Sequence, residues 1–523
     1  MKIKTQPNEI WQEYEKGRDY NTGINLYETV EQNEKFYIGK QWEGLNAPDL
    51  DKPVLNFLKR VGSYFVSQIV SDDVGISIEP HGDDDVLKMK ADILVRECEK
   101  IIEAEKLTAK YRESIRDAVV DGDSAMYFSF DADTGRIGAE IIDNTKVLFG
   151  NPYIAEKEKQ PYIILVRPML LSSVREEAKE AGVDPETIQA DDENYREDEI
   201  AGSAHGADRT TVLYKLWKQD NTVWYTKVTR NAVIKKPTNT GYRLYPIAWM
   251  NWEKVKNSYH GQAAITHLIP NQIAVNKLWA MALHHQQSFA FPKVLYDSSR
   301  IKQWTNRVGE AIAVSGDPNT AIAAGYRAPD MSAQLTDVVE RTVSMTRDFM
   351  GASDAALGNV KPDNTSAIIA VQQASAAPLE LNRLAFYQFV EDGVRVILDI
   401  ICSDYGVRTV EVTPPTDGAM QGQEISSVPA VVDFDEINID LYDLRVDVGG
   451  ASYWNEMTQI STIDNLFSKG IITDPVTYLE AIPDSYIKNK SKIIEQLKEQ
   501  QMMQQQMMMQ EQMGGMPNAV PGM

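Results

Sequence analysis

The chain has 523 residues, 43% of them hydrophobic, with 76 acidic side chains against 53 basic ones and a net charge of −23. Such a length predicts about three domains, and the apolar share predicts packed cores, so wholesale disorder is excluded. The charge speaks against a grip on nucleic acid through its phosphates, which needs Lys and Arg to displace counterions; a repulsive or brief contact with DNA stays open. The two cysteines, Cys98 and Cys402, fall in helical patterns and read as free thiols of a reducing compartment. The opening residues MKIKTQPNEIWQEYEK lack the apolar stretch of a signal peptide, and no run of 18 apolar residues predicts a spanning helix.

Residues 1 to about 118 read as mostly helical, with apolar positions three and four apart in 29–36 and 54–70. An amphipathic helix pair over 85–118 offers Ile93, Leu94, Ile101, Ile102 and Leu107 to a core. From Asp117 the period changes: AMYFSF, the turn DADTGR and IGAEII predict a hairpin, and KVLFG and PYIILVRP predict further strands. A helix and an acidic stretch follow, the latter half of which, within 184–208, reads as an exposed mobile insertion. TTVLYKLWKQDNTVWYTKVTR predicts a second hairpin turning at Asp220-Asn221.

A helix is predicted from about Tyr259 to Phe289, its stripe of Ile265, Leu268, Val275, Trp279 and Ala282 broken by Gln272; Pro270 must start or kink it. Short strands fill 291–332, and a helix follows from about Ser332 to Met350. The loop GNVKPDNT leads into a long helix from about Ser366 to Cys402, bent at Pro378. Its apolar face, Phe386, Val390, Val394, Ile397 and Ile401, calls for neighbours that a single chain was not expected to supply. Short strands occupy 407–450, and two helices are separated by KGIITDP, with Gly470 as a C-terminal cap, Asp474 as N-cap and Pro475 in the first turn. The last helix starts near Asp484; the Met/Gln-rich end either stays disordered or continues as a helix packed in a ring.

Catalytic patterns are scarce. Gly39-Lys40 is followed by Gln41 where a phosphate-binding loop needs Ser or Thr. DADTG at 131–135 begins like a calcium loop, but Arg136 and Ile142 stand where Gly and Glu are required. The six histidines, His81, His205, His260, His267, His284 and His285, read as exposed or interfacial, and adjacent His284 and His285 cannot clamp one metal. Carboxylate clusters such as DGD at 121–123 and DFDEINID at 433–440 would suit a two-metal nuclease, yet so acidic a chain produces them by chance. A nuclease and a scaffold ring that holds no DNA are the alternative functions.

Three stretches carry a resemblance: FYIGKQWEGLNAPDLDKPVLNFLKRVGSYFVSQI; then YHGQAAITHLIPNQIAVNKLWA, with His260-Gly261, Gln272 and Asn276; and the loop at 358–365. Their order resembles the portal proteins of tailed bacteriophages, the short-tailed type above all, over most of the chain. The resemblance implies an α+β, mainly α, portal fold. Its parts would be a wing (1–258 and the strands at 407–450), stem helices (259–290 and 332–350) and a clip (291–331). A tunnel loop (351–365), a long kinked helix (366–406), crown helices (451–500) and the tail (501–523) complete it. It also implies a homo-oligomeric ring, typically a dodecamer, at one capsid vertex of the virion, assembled in the host cytoplasm. Double-stranded DNA would enter through it during packaging and leave during ejection. The partners implied are the major capsid protein, the terminase large subunit, a tail adaptor and a scaffolding protein; no enzyme activity, cofactor or metal is implied. Gly358, Asn359, Val360, Lys361, Pro362, Asp363 and Asn364 would form the tunnel loop. Arg300, Lys302, Trp304 and Arg307 would be partner contacts on the clip, Trp304 being either contact or core.

Overall fold

A computed structural model describes residues 3–48, 50–70, 74–82, 84–191, 208–290, 293–303, 312–320, 322–326, 333–351, 377–412, 428–448, 462–469, 475–482, 494 and 497. Where length alone predicts about three domains, the chain divides into two compact units, Met1–Val448 and Gly449–Met523. Helices and antiparallel sheets together make it α+β.

The first unit opens with helices α1 (Pro7–Gly23), α2 (Leu26–Ile38) and α3 (Phe57–Ile69). After strand β1 (Val74–Pro80) come α4 (Asp85–Ala104) and α5 (Leu107–Asp121). Single left-handed residues make the corners: Asn25 at φ 56° between α1 and α2, and Lys106 at φ 51° between α4 and α5. Asn56 caps α3 by accepting from the Lys59 N–H, and Asp84 caps α4 by accepting from the Val86 N–H. Of the five core residues expected on α4 and α5, Ile93, Leu94, Ile101 and Leu107 are buried and Ile102 is partly so. β1 departs from the mostly helical reading. It pairs with β16 (Tyr442–Val448), from Val74↔Val448 to Pro80↔Tyr442, so its partner lies near the far end of the unit.

The hairpin of β2 (Asp123–Asp131) and β3 (Arg136–Ile142) forms as the sequence predicts, and DADTG is its turn: Asp131 accepts from the Asp133 N–H and the Thr134 hydroxyl. β9 (Ile247–Asn251) pairs along the other side of β2, giving the order β3-β2-β9. The outer edge of β3 is closed by side chains. Glu105 accepts from the Ala139 N–H at 3.2 Å, Lys110 donates to the Ala139 carbonyl at 2.6 Å, and the two pair with each other at 2.7 Å. A salt bridge thus stands where another strand would dock. These hydrogen bonds hold the Glu105 carboxyl below its usual range even though burial opposes them.

β4 (Val147–Phe149), β5 (Ile163–Leu170), β6 (Arg209–Gln219), β7 (Thr222–Val228) and β8 (Val233–Asn239) form a five-stranded antiparallel sheet in chain order. The β6–β7 turn falls on Asp220 and Asn221, both at positive φ (52° and 63°), as a two-residue hairpin demands. Edge strand β8 exposes Lys235, Lys236 and Pro237, which discourage further pairing. The short helix α6 (Leu171–Glu180) follows β5. α1 lies on this sheet, and its Ile10, Trp11 and Tyr14 share a small core with Leu148, Ile164, Leu213 and Val228. Lys215 of central strand β6 is buried, pairs with Glu13 of α1 at 2.5 Å and donates to the Lys4 carbonyl. Burial pulls its ammonium pKa down against the pull of Glu13.

β10 (Glu253–Lys254) pairs with β11 (Gly261–Gln262). α7 (Ile269–Ala290) therefore starts later than the expected Tyr259, with Pro270 in its first turn, where a missing N–H costs nothing. β12 (Lys293–Tyr296) and β13 (Ile322–Tyr326) form a small excursion before α8 (Ala333–Phe349). Asn271 near the start of α7 donates to Thr346 near the end of α8, so the two helices run antiparallel.

α9 (Glu380–Asp404) is the described part of the long helix. Pro378 sits in a 3-10 turn, Ala377–Leu379, at the head of α9, and residues 366–376, on the other side of the expected bend, lie outside the described set. The stripe Phe386, Val390, Val394, Ile397 and Ile401 is buried at 0–1% exposure. α9 packs on β2, β9 and β16, so the chain itself supplies the neighbours that the sequence was expected to leave to a ring. Each such side chain contributes about 1.5–3 kcal/mol. Gly393 allows the closest approach: a Cβ there would stand 3.1 Å from the Phe128 ring. β14 (Val407–Val412) and β15 (Val428–Asp433) form a two-stranded ribbon after it.

In the second unit, helical residues 462–468 and the helix Pro475–Ala481 are joined by Phe467 against Tyr478, with ring centres 4.4 Å apart, and by a hydrogen bond from Tyr478 to Asp464. Pro475 is the first helical residue, as expected; Gly470, Asp474 and the Met/Gln-rich end lie outside the described residues.

Candidate functional site

The helix pair α7–α8 is rooted in two buried polar nodes, and both involve residues of the motifs quoted above. The first surrounds Asp123, the first residue of β2. Its Oδ1 accepts from the Gly261 N–H at 2.6 Å and from the Asn251 amide at 2.7 Å, and its Oδ2 lies 2.6 Å from His260 Nδ1. A carboxylate only accepts, so Nδ1 carries the hydrogen. The other ring nitrogen of His260 faces Asn21 of α1 at 3.2 Å. His260 is 2% exposed, which overturns its reading as an exposed or interfacial histidine. That reading placed it on a helix two turns before His267; it lies instead in the turn leading into β11.

Gly261 is required by crowding. A Cβ there would stand 2.7 Å from the Glu253 carbonyl and 2.9 Å from Asn251 Cβ. Gly122, at φ 96°, brings the chain from α5 into β2 close against the Ala263 N–H. Tyr259 closes the node: its ring stacks on Phe149 at 4.5 Å, and its carbonyl accepts from Asn251 and Trp249.

The second node is centred on Gln272, one turn into α7. Its amide nitrogen donates to the Leu55 carbonyl at 2.8 Å and to Asn276 at 2.9 Å, while its oxygen accepts from the Phe57 N–H at 3.2 Å. Asn276 donates to Gln41 at 2.6 Å, and Gln41 donates to the Phe36 carbonyl. Asn56 donates to the Tyr37 carbonyl and Trp42 to the Pro53 carbonyl, folding the connection from α2 to α3 on itself. Gln272 and Asn276 are buried and hydrogen-bonded, so the break in the apolar stripe fixes the register of α7 against α3. The stripe's Ile265, Leu268, Val275 and Ala282 are buried and Trp279 is partly buried.

Of the expected partner contacts, Arg300 and Lys302 are described, and Trp304 and Arg307 are not. Asp297 organises their turn: its carbonyl accepts from the Arg300 and Ile301 N–H groups and its carboxylate accepts from Ser299. Ile301 is buried as the anchor; Arg300 is tied to Asp297 and Thr320, and Lys302 stands exposed. The tunnel-loop residues Gly358 to Asn364 lie outside the described residues, as do His205 and residues 192–207 of the acidic insertion.

His267 and His284 are exposed, His285 is half-buried, and His81 pairs with Asp443 at 2.9 Å. Cys98 and Cys402 are free thiols; burial pushes both up, Cys402 to about 12, away from reactivity. Among the described residues no group of three or more His, Cys, Asp or Glu could hold a metal ion, and no helix is long and apolar enough to cross a membrane. The His260–Asp123 pair is closed to solvent, so its geometry positions backbone rather than substrate.

Sequence reading picked out His260, Gly261, Gln272 and Asn276, named Asp123 only within the DGD cluster that it set down to chance, and missed Asn251 and Asn21. The signal that could have found Asp123 is its place between a helix-ending glycine and an alternating strand. A family model described as phage P22-like portal protein matches residues 13–520. No curated protein matches the chain.

Proposed function

The chain belongs to the phage P22-like portal protein family, and from that premise we propose that it forms a ring at one capsid vertex through which double-stranded DNA enters and leaves. In this reading α7 and α8 are the stem, the β12–β13 excursion is the clip facing terminase and then a tail adaptor, and residues 351–365 form the tunnel loop. The wing combines 1–258 with the strands near 407–450, and the crown lies in 451–500. A portal is a structural protein, and the ATP-driven motor would be a separate one.

The observation that carries the ring is apolar surface on these helices. Val338 and Met345, two turns apart on one face of α8, are 48% and 57% exposed, and Leu381 and Leu384 at the start of α9 are 78% and 48% exposed. A closed ring covers such stripes without leaving open ends. The net charge of −23 per chain supports the channel, since the fields of many acidic copies add and a duct must repel phosphates rather than hold them. Native mass spectrometry of the purified chain, without nucleotide or metal, is expected to show one closed oligomer, a dodecamer by the family pattern. Monomers alone across a range of concentration and salt would refute the assembly.

The tunnel-loop assignment rests on the sequence GNVKPDNT. Pro362 stiffens it, Asn364, Thr365 or Ser366 can cap the helix behind it, and Lys361 is the only cation between Gly351 and Asn382. Deleting Val360 to Asp363 is expected to leave ring assembly intact and to impair DNA packaging or retention, with Lys361→Ala doing less. A deletion phage that packages and holds its genome normally would reduce the loop to a plain connector.

A further inference from the structure

Three segments meet at the C-terminal end of α5. α2 brings Asn33 and Glu34, the turn after β3 brings Asp143, Asn144 and Lys146, and the stretch leading into α7 brings Thr266. Asn33 donates to the Val120 carbonyl at 2.8 Å and to Thr266 at 2.9 Å, and Asn144 donates to the Asp121 carbonyl at 3.1 Å. Gly122 then turns the chain into β2 and the Asp123 node.

At this corner stand the part-buried carboxylates Glu34, Asp117 and Asp121, with exposed Asp143 at its edge and exposed Glu113 one turn back on α5. Arg116 answers Glu34 and Asp117, and Lys146 answers Asp143 at 2.7 Å. Asp121 is left over: its Oδ1 is buried and accepts no hydrogen bond. Asp117 and Asp121 are also one turn apart on the last turns of α5, where like charges repel and the negative end of the helix dipole disfavours anions.

The geometry points to a proton-operated brace at this corner. With Asp117 and Asp121 charged, the α5–β2 turn is pushed open; with them protonated, it closes on the segment that leads into α7. This concerns the fold of one chain and does not depend on the ring. Burial first, then Asp143 and Glu113, push the Asp117 carboxyl up to about 6 against the pull of Arg116. Burial and then Asp117 raise Asp121 well above the carboxylate range, with Glu34 and Asp143 adding and Arg116 opposing. Both are raised above the ordinary 3.8. The stabilisation is therefore complete below about pH 4 and is lost as pH rises through about 6 and beyond.

Hydrogen exchange on the full chain tests this, read at the amides of 119–124 and 261–268 at pH 5.5 and 7.5 and corrected for intrinsic exchange rates. In the wild type, protection is expected to be about tenfold higher at pH 5.5, the factor that corresponds to about one unit of pKa difference. In Asp121→Asn, which is neutral at both pH values, the difference should shrink and protection at pH 7.5 should rise. Equal wild-type protection at the two pH values, or an Asp121→Asn protein with the full wild-type difference, would overturn the brace. Should that variant not fold, Asp117→Asn takes its place with the same two outcomes.

Discussion

Asp123→Ala is expected to lower the thermal midpoint further than any surface substitution, with a loss of roughly 3–5 kcal/mol. The carboxylate holds the Gly261 N–H, the Asn251 amide and the His260 ring in one buried place. Removing it strands three donors from which water is excluded, and an unpaired buried donor costs more than a hydrogen bond gains. Asp123→Asn keeps an acceptor oxygen and should fall between wild type and Asp123→Ala. Thermal melts of the three proteins beside Lys236→Ala, a change on the exposed edge of β8, provide the comparison. An Asp123→Ala midpoint no lower than that of Lys236→Ala would mean that the node does not hold the entry to α7.

Gln272→Leu should cost roughly 2–4 kcal/mol although leucine matches the volume and suits the apolar stripe. The substitution takes one bond each from the Phe57 N–H and the Leu55 carbonyl, which keep only their 2.8 Å bond to each other, and one from Asn276. Its effect should be local before it is global. Amides in the first turns of α7 and at Phe57 should lose hydrogen-exchange protection while those in the buried middle of α9 keep theirs. If both regions keep wild-type protection, Gln272 is a tolerated polar residue and the register of α7 is fixed by apolar packing alone.

The elements that the sequence made legible are those whose signal is local. Asp220-Asn221 between two alternating runs can only turn one way, and the five-residue stripe of α9 repeats at helical spacing over four turns. β1 was illegible because seven residues between helices become a strand only by pairing with β16, and that pairing does not show in local periodicity. The entry to α7 failed for a related reason. Tyr259 to Ile265 carry enough apolar residues to extend the helical stripe, yet Gly261 pairs with β10 and His260 turns inward to Asp123. The stripe of α9 was read correctly as apolar and wrongly as in want of a neighbouring chain, since β2, β9 and β16, which cover it, come from distant parts of the sequence. Of the two nodes, Gln272 could be seen as a break in a pattern. Asp123 stood among 76 acidic residues, named only as part of DGD, where no count separates a buried carboxylate from those that face water.

End-on electron micrographs of the purified protein test the central claim most directly. The account predicts closed rings of uniform subunit number with an open centre wide enough for a DNA duplex. Monomers, open filaments, or rings closed at the centre to a duplex would contradict it.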